Sequence, residues 1–178
     1  MHKDCERILF TEQQLKKRIK EVALEVNKRY EGKRPIVVGI LKGSVLFYAD
    51  FVRFLHADAE MDFMAVSSYG SGTVSSGKLK IKKDIDSDIK GRDIIIVEDI
   101  IDSGFTLSNL KALLKERGAE SVAIVTLLDK KERREYDIHP DFNCFEIGNE
   151  FVIGYGLDYD EKYRSLPYIA VLKREIYE

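Results

Sequence analysis

One stretch of the sequence, Ile94 to Leu107, constrains the fold more than any other. Its first part, Ile94 to Val97, is apolar and rich in β-branched residues, and acids follow at Glu98, Asp99 and Asp102. A short apolar run of this kind predicts a strand buried inside a parallel sheet. Carboxylates at the end of such a strand are costly to hold close together unless hydroxyls, a cation or a solvated cleft lie between them. The stretch therefore predicts an α/β fold with a polar site where this strand ends.

The acids lead into Ser103, Gly104, Phe105 and Thr106, a turn that precedes a predicted helix. Backbone N–H groups at a helix start have no partner within the helix and bind phosphate readily. In a simpler interpretation, Asp102 or Ser103 only caps the helix and the other acids face solvent. A cap does not require two further acids. We therefore favour a site that offers both a ribose or metal contact and an anion cradle.

The rest of the sequence alternates apolar and amphipathic segments. Thr11 and Gln14 form a capping-box pattern ahead of apolar residues at helical spacing. Alternating strand and helix patterns predict a sheet with parallel central strands, flanked by helices, and its ligand site lies outside the carboxyl ends of the strands. The predicted helices are 11–30, 44–56 and 107–117, and the predicted strands are 36–41, 61–67, 79–83, 94–97 and 121–128, with an irregular chain beyond Asp129.

Composition narrows the class of protein. The chain has 178 residues, of which 44% are hydrophobic and 34% charged, with a formal net charge of -2. This size and balance predict one domain with a real core and argue against a role in coating nucleic acid. No apolar run approaches the ~20 residues that span a bilayer, and the charged segment 1–7 lacks a signal-peptide pattern. We expect a cytoplasmic protein with no membrane or nucleic-acid partner, in which Cys5 and Cys144 are free thiols.

The segment from Val97 to Thr106 resembles the phosphoribosyl-diphosphate (PRPP) binding motif of the type I phosphoribosyltransferases. That motif is an apolar strand running into Glu-Asp, two aliphatic residues, Asp, Thr or Ser, and Gly, and Ser103 stands where Thr is more often seen. The turn Lys42-Gly43-Ser44 resembles the family's pyrophosphate-binding turn, in which the peptide bond before the Lys can be cis. The Gly- and Ser-rich segment that Ser68 and Tyr69 open resembles the family's flexible lid.

A second match lies near the carboxyl terminus. The segment from Phe151 to Ile169 includes Gly154-Tyr155-Gly156-Leu157-Asp158-Tyr159, and it closely resembles the purine-binding segment of hypoxanthine-guanine phosphoribosyltransferases. The resemblance implies a type I phosphoribosyltransferase fold in one domain over residues 1–178. Its core would lie at about 11–130 and its lid loop at about 68–80, and a small hood would be formed mainly by 131–178 with the N-terminal segment.

The same resemblance implies a function in purine salvage: transfer of the 5-phosphoribosyl group from PRPP to N9 of hypoxanthine or guanine, with Mg²⁺, giving IMP or GMP and pyrophosphate. It implies Asp102 as the general base that takes the proton from purine N7, and a homodimer or homotetramer. The implied site residues are Asp102, Ser103, Gly104, Phe105 and Thr106 for the 5-phosphate; Glu98 and Asp99 for the ribose; Lys42, Gly43 and Arg164 for pyrophosphate; Ser68 and Tyr69 in the lid; Lys130, Phe151, Val152 and Asp158 for the purine; and Glu98, Asp99 and Asp158 for the metal.

Two other functions stay open. The first is another transferase of the superfamily, which would act on xanthine, adenine or a pyrimidine. An activity assay of these bases with PRPP and magnesium distinguishes the possible substrates. A PRPP-sensing regulator would keep the motif without catalysis, but such proteins usually carry a DNA-binding extension or a basic face. We expect the charged stretch 130–135 to be mostly a solvated surface. Lys130 is the exception, since the resemblance places it at the purine 6-oxo group. Phe47, Phe51 and Phe54 would lie in the core or between subunits.

Overall fold

The computed structural model describes residues 1–56, 58–68 and 79–178, so most of the expected lid lies outside the described residues. A 3₁₀ turn at Lys131–Arg133 follows the sixth strand. The strands are β1 (Cys5–Phe10), β2 (Ile36–Leu41), β3 (Glu60–Ser68), β4 (Leu79–Lys83), β5 (Asp93–Ile101), β6 (Ser121–Asp129), β7 (Phe142–Glu146), β8 (Val152–Ile153) and β9 (Ile169–Leu172), and the helices are α1 (Glu12–Arg29), α2 (Val45–Val52), α3 (Phe105–Glu116) and α4 (Arg174–Tyr177).

The main sheet has the strand order β4-β3-β2-β5-β6-β7. Strands β3, β2, β5, β6 and β7 run parallel, and β4 pairs antiparallel with β3 at one edge. This confirms the predicted α/β fold with a parallel central sheet. In chain order, β2, β3 and β4 extend the sheet toward one edge, and β5, β6 and β7 then extend it toward the other edge. The direction of building therefore switches between β2 and β5, and ligands bind at such a point in open parallel sheets.

Two apolar layers cover the faces of the main sheet because its central strands alternate their side chains. In β5, Ile95 and Val97 pack with α1 and α2, whereas Ile94 and Ile96 pack with α3 on the opposite face. All four side chains are fully buried. Such burial on both faces explains why the strand reads as a continuous apolar run.

A smaller antiparallel sheet, in the order β1-β9-β8, joins the two ends of the chain. Its core contains Cys5, Ile153, Ala170 and Leu172. The sheet carries the segment that the sequence marked as purine-binding, because Phe151 precedes β8 and Ile169 begins β9.

Helix α1 shows how local sequence signals fix an element. The Thr11 backbone N–H donates to Gln14 Oε1 at 2.9 Å, and the Gln14 N–H donates to Thr11 Oγ1 at 3.4 Å, which together form the expected capping box. The buried stripe includes Leu15, Ile19 and Val22, so the predicted helix is confirmed.

Other boundaries differ from the predicted ones. Strand β5 continues to Ile101 because β6 pairs with it past Val97, so Glu98 and Asp99 lie within the strand and not in a turn. Helix α2 ends at Val52, and α3 begins at Phe105, two residues before the predicted start.

The expectation of an irregular chain beyond Asp129 is wrong, because β7 extends the main sheet by pairing with β6. Strand β1 is also absent from the predicted elements.

Phe47 and Phe51 are fully buried and belong to the core, whereas 36% of Phe54 is exposed. Both cysteines are free thiols, as expected. Within the described ranges, no helix is long and apolar enough to cross a membrane.

Candidate active site

The candidate site begins where β2 and β5 end side by side. The turn after β2 contains Lys42 and Gly43, and the Leu41–Lys42 peptide bond is cis, as the resemblance implied. The last residues of β5 include Glu98 and Asp99. Since parallel neighbours end at the same edge of the sheet, the two motifs lie next to each other.

Glycines allow three segments of the chain to meet at one point. A Cβ on Gly43 would lie 1.7 Å from Asp99 Oδ2, so the Asp99 carboxylate rests directly on the Gly43 backbone. A Cβ on Gly156 would lie 1.9 Å from the Gly43 carbonyl oxygen, and Gly156 has a φ of +103°. Only glycine fits this approach and this backbone conformation at once. The pyrophosphate-type turn, the PRPP-type motif and the purine-type segment are therefore in direct contact.

Glu98 and Asp99 form an acidic pair in which Asp99 is buried and Glu98 is partly buried. The pKa of Glu98 is raised well above its ordinary value by burial and by the charge of Asp99. Burial also raises the pKa of Asp99, although hydrogen bonds to its carboxylate and the nearby Arg164 oppose that shift. Among the described residues, Glu98 Oε2 is shielded from solvent without a hydrogen-bond partner. Buried carboxylates without partners are stabilised by incoming hydroxyl donors or a cation.

The residues after β5 form a cradle at the start of α3. A cavity of about 120 Å³ is lined by Glu98 and by the chain from Ile100 to Leu107. Gly104 precedes α3 with a φ of +88° and has no side chain to cap the helix, and the Phe105 N–H donates to Ser103 Oγ at 3.3 Å. The first-turn N–H groups and the helix dipole at this end favour an anion.

A buried arginine braces this cradle from behind. The Arg134 side chain is 9% exposed and pairs with the Asp129 carboxylate, which is 1% exposed. Its Nε donates to the Asp102 carbonyl oxygen at 3.0 Å, and a second nitrogen donates to the Ile138 carbonyl oxygen. The stretch 130–135 is mostly exposed, as expected, but Arg134 is a second exception beside Lys130 because tertiary contacts enclose its side chain.

The backbone beside Arg134 also holds the cradle. The N–H groups of Glu135 and Tyr136 both donate to the Ser103 carbonyl oxygen, at 2.9 and 3.1 Å. A Cβ on Gly104 would lie 2.6 Å from Ile138 Cγ2. The segment after β6 therefore fixes the shape of the turn from outside.

Asp102 has a charged neighbour of its own. Arg133 Nε lies 3.1 Å from Asp102 Oδ1 in an ion pair whose side chains are 52% and 40% exposed. Sequence reasoning missed both Arg133 and Arg134, since a run of mixed charges after a strand ordinarily faces solvent.

Lys130 lies at the end of β6, where its backbone N–H donates to the Ile101 carbonyl oxygen at 2.9 Å. The residue is 7% exposed. Desolvation lowers the pKa of its ammonium, and the charge of Asp102 partly offsets this effect. The Lys130 ammonium forms no ion pair within the described part of the chain. It is therefore available to donate a hydrogen bond to an acceptor on a ligand.

Phe151 and Val152 lie where the smaller sheet begins. Val152 is buried in β8, and 36% of Phe151 is exposed. The Phe151 ring stacks on Tyr177 with the ring centres 4.8 Å apart, and it makes a T-shaped contact with Tyr159 with the ring centres 5.6 Å apart. Tyr177 is a neighbour that no sequence signal indicated, because it comes from the far end of the chain.

Two cations share acidic partners near Gly43. Lys42 Nζ lies 3.1 Å from Glu161 Oε2, and Arg164 lies 3.3 Å from the same oxygen. Arg164 also lies 2.9 Å from Asp158 Oδ1 and donates to the Gly156 carbonyl oxygen at 2.8 Å. The second Asp158 oxygen accepts the Glu161 N–H at 3.0 Å. This network joins Asp158, Arg164 and Lys42, and it adds Glu161.

The described residues contain no cluster of three or more His, Cys, Asp or Glu side chains that would enclose a metal by itself. Glu98 and Asp99 are the carboxylates best placed to contribute to a shared site. For the lid, Ser68 ends β3, and its side chain and Tyr69 lie outside what the structure describes.

Comparison with known proteins agrees with this geometry. Residues 7–160 match the family described as "Phosphoribosyl transferase domain". The chain belongs to the phosphoribosyltransferase family. A hypoxanthine-guanine phosphoribosyltransferase of Streptococcus thermophilus (strain CNRZ 1066) is 52% identical over 177 residues, which cover 99% of this chain and 98% of the relative. That of Bacillus subtilis (strain 168) is 52% identical over 178 residues, covering 100% of this chain and 99% of the relative.

A solved structure shares the fold over nearly the whole length of both chains. The hypoxanthine phosphoribosyltransferase of Staphylococcus aureus, in its tetragonal crystal form, has a TM-score of 0.96 and 46% sequence identity, with coverage of 100% of this chain and 97% of that one. Within its family, the chain therefore groups with the hypoxanthine-guanine phosphoribosyltransferases, which are purine salvage enzymes.

Proposed function

We propose that the chain transfers the 5-phosphoribosyl group of PRPP to N9 of hypoxanthine or guanine and releases IMP or GMP with pyrophosphate. The observation that carries this proposal is the contact of Gly43 with both Asp99 and Gly156. It brings the three segments expected to bind diphosphate, ribose and purine to one point beside the cradle at α3. A reaction that joins two substrates at one carbon needs this convergence.

The cradle is the proposed site of the PRPP 5-phosphate. Backbone N–H groups from Asp102 to Thr106, with the hydroxyls of Ser103 and Thr106, would donate to its oxygens, and the start of α3 supplies a favourable dipole. Glu98 and Asp99 would accept hydrogen bonds from the ribose hydroxyls. The raised pKa values of this pair support that role, since burial disfavours the charged forms of both acids and Glu98 Oε2 has no hydrogen-bond donor among the described residues.

The donor set near the ribose fits Mg²⁺. This ion is usually bound by one or two protein carboxylates together with substrate phosphates and not by an all-protein cage. The partnerless oxygen of Glu98 and the neighbouring Asp99 meet that description. The two oxygens of Asp158 already contact Arg164 and the Glu161 N–H, and this carboxylate would be a further ligand near the ion. When bound, Mg²⁺ would neutralise charge on the diphosphate leaving group.

The Gly43 and Lys42 turn would bind the leaving diphosphate with backbone N–H groups and an ammonium, assisted by Arg164. Ser68 and Tyr69 would belong to a lid that excludes water from the reacting carbon, because water would otherwise capture an oxocarbenium-like state.

Lys130 and the Val152 backbone are the proposed readers of the purine 6-oxo edge, and Phe151 would stack on the purine face. A lysine ammonium donates to a 6-oxo group and meets another donor in the 6-amino group of adenine. A site built around a hydrogen bond strongly rejects an analogue that lacks it. The buried ammonium of Lys130 therefore supports selection of oxopurines.

Asp102 is the proposed general base that takes the proton from N7 as N9 attacks C1. The Arg133 ion pair supports this role through geometry, because Arg133 Nε lies 3.1 Å from Asp102 Oδ1 and would hold the carboxylate at the edge of the cradle.

The Asp102→Asn variant tests the general base. We expect kcat to fall by about 10²- to 10⁴-fold while PRPP binding, measured by calorimetry, stays close to the wild-type value. Asp137→Asn is a matched control at an exposed aspartate beyond the cradle. Near-normal turnover of Asp102→Asn would contradict the assignment.

A panel of hypoxanthine, guanine, xanthine and adenine with PRPP and Mg²⁺ tests the substrate class. We expect the first two bases to react and adenine to fail. Lys130→Ala should weaken purine use far more than PRPP binding, and equal losses in both would contradict the purine-edge role. PRPP binding without turnover of any base would favour a regulator.

The organisation around the site is also proposed. We infer one domain with a core at about 11–130, a lid at about 68–80 and a hood from the chain termini, assembled as a homodimer or homotetramer in the cytoplasm.

A further inference from the structure

The carboxylate of Glu161 lies between the cations proposed to bind diphosphate. Its Oε2 is 3.1 Å from Lys42 Nζ and 3.3 Å from Arg164 Nη2. A single carboxylate oxygen thus contacts both cationic groups, as a phosphate oxygen of a bound diphosphate would.

The backbone holds Glu161 in a conformation that favours glycine. Tyr159 and Lys162 exchange backbone hydrogen bonds at 3.3 and 3.0 Å, so Asp160 and Glu161 are the two central residues of a tight hairpin turn. Both have positive φ values, 52° and 59°. Turns with two positive φ values strongly prefer Asn or Asp followed by Gly, and Asp160 fits this pattern while Glu161 does not.

A strained residue at a ligand site suggests a role for its side chain. Glycine at position 161 would adopt the turn at no steric cost, but it would leave Lys42 without its ion-pair partner among the described residues. The side chain is also free to leave, because Glu161 is 66% exposed and Lys42 is 70% exposed. Exposed ion pairs contribute little free energy each, so an incoming diphosphate would displace this contact readily.

We propose that Glu161 is a positioning residue that occupies the diphosphate subsite of the free enzyme, yields to the diphosphate of PRPP, and returns as pyrophosphate leaves. This inference rests on the proposed function, which assigns Lys42 and Arg164 to the diphosphate. Its consequence is competition: Glu161 weakens both PRPP and pyrophosphate at one subsite and leaves the nucleoside monophosphate unaffected.

Calorimetric titration with magnesium pyrophosphate tests the inference in Glu161→Gln and in a matched control, Asp160→Asn. The control removes the same charge from the neighbouring residue, whose carboxylate pairs with Lys162. We expect Glu161→Gln to bind pyrophosphate about three- to tenfold more tightly, the range set by loss of two exposed ion pairs, and Asp160→Asn to stay within about twofold of wild type. The KM for PRPP should fall by the same factor as the pyrophosphate Kd, and IMP affinity should not change.

Equal tightening in both variants would mean that net charge alone acts, and no tightening in Glu161→Gln would mean that the carboxylate does not compete; either result overturns the inference. Glu161→Gly is a second variant that favours the turn. It should melt no lower than wild type and should tighten pyrophosphate binding to a similar degree.

Lys42→Ala separates failure of this inference from failure of the proposed function. If Lys42→Ala weakens pyrophosphate binding while Glu161→Gln does not tighten it, only the competition by Glu161 is wrong. If Lys42→Ala leaves pyrophosphate binding unchanged, the assignment of Lys42 to the diphosphate is wrong and the role of Glu161 is wrong with it.

Discussion

Replacement of Arg134 by Met tests how the cradle for the 5-phosphate is held. The Arg134 side chain is 9% exposed, and its carboxylate partner Asp129 is 1% exposed. Met fills a similar volume but leaves the Asp129 charge buried without its partner. Loss of one member of a buried ion pair costs ~3–5 kcal/mol in free energy of unfolding. The carbonyl oxygens of Asp102 and Ile138 lose donors as well, which places the expected loss toward the upper end of that range.

The assay is equilibrium denaturation in urea together with thermal melting of the free protein. For a chain of this size, a loss of 3–5 kcal/mol corresponds to a fall in Tm of about 6–20 °C, since each 1 kcal/mol shifts Tm by ~2–4 °C. The neighbouring Arg133→Met is the control, because its side chain is 52% exposed and its ion pair with Asp102 is partly solvated. We expect the control to change the free energy of unfolding by no more than ~0.5 kcal/mol.

A double variant separates the stranded charge from the lost packing. Arg134→Met with Asp129→Leu replaces the buried pair by apolar groups, an exchange that is often neutral for stability. We therefore expect at least half of the lost stability to return. The KM for PRPP should exceed the wild-type value in both the single and the double variant, because both lack the hydrogen bond from Arg134 to the Asp102 carbonyl oxygen. A loss below about 1 kcal/mol in Arg134→Met, or no recovery in the double variant, would refute the reasoning.

Two further predictions concern a close approach and a buried carboxylate. Gly43→Ala should lower kcat/KM by about 10²-fold, because the new Cβ would lie 1.7 Å from Asp99 Oδ2 and must displace it, whereas Gly148→Ala, which meets nothing within 4 Å, should behave as wild type. Asp62→Asn should destabilise the protein by about 2 kcal/mol or more near pH 7 in urea denaturation, since Asp62 accepts hydrogen bonds from Phe63, Asp86 and Ser87.

The pH dependence of Asp62→Asn follows from the pKa of the native carboxyl. Burial raises this pKa, but the hydrogen bonds from Ser87, Phe63 and Asp86 outweigh burial and hold it below the ordinary value of 3.8. The carboxylate therefore stabilises the fold fully above that value and loses its contribution as the pH falls through the native pKa. The difference between wild type and variant should be constant from pH 5 to 7 and should narrow below 3.8. A difference that grows on acidification would contradict this account.

Local patterns in the sequence were enough to predict the elements of the main sheet that lie nearest the site. The capping box at Thr11 and the apolar run at Ile94 carry their own signals, since hydrogen bonds or burial on both faces determine them. Strand β7 carries no such signal: it is an edge strand of mixed residues, and pairing with β6 defines it. The end of β5 was misplaced for the same reason, because the partner strand and not the acids decides how far a strand continues.

The predicted site residues follow a comparable division. Motif residues such as Gly43 and Asp99 were identified because their types and spacing are specific. Arg134, Glu161 and Tyr177 were missed because their roles arise from partners far along the chain or from the backbone conformation. A charged residue in a loop looks the same in sequence whether it is solvated or buried against a carboxylate.

The charged groups of the candidate site fall into two sets that differ in how they are neutralised. Asp102, Lys42 and Arg164 have internal partners of opposite charge. Glu98 and Lys130 have no ion-pair partner within the described residues, and their pKa values move in opposite directions, up for the acid and down for the base. Burial causes both shifts, because it penalises whichever form is charged.

The two groups without ion-pair partners are assigned to the uncharged ribose hydroxyls and purine 6-oxo group, and Glu98 is assigned to Mg²⁺ as well. The groups with partners are assigned to the diphosphate and to the proton of N7, where ligand charge or proton transfer replaces an existing contact. The ion-paired groups keep the charges of the free site neutralised and exchange one partner for another when the substrate binds. A group without a partner gains more, because only the correct substrate supplies its hydrogen bond. On this argument, specificity for the base depends on Lys130, and ease of diphosphate entry and release depends on the exposed contacts of Lys42 and Glu161.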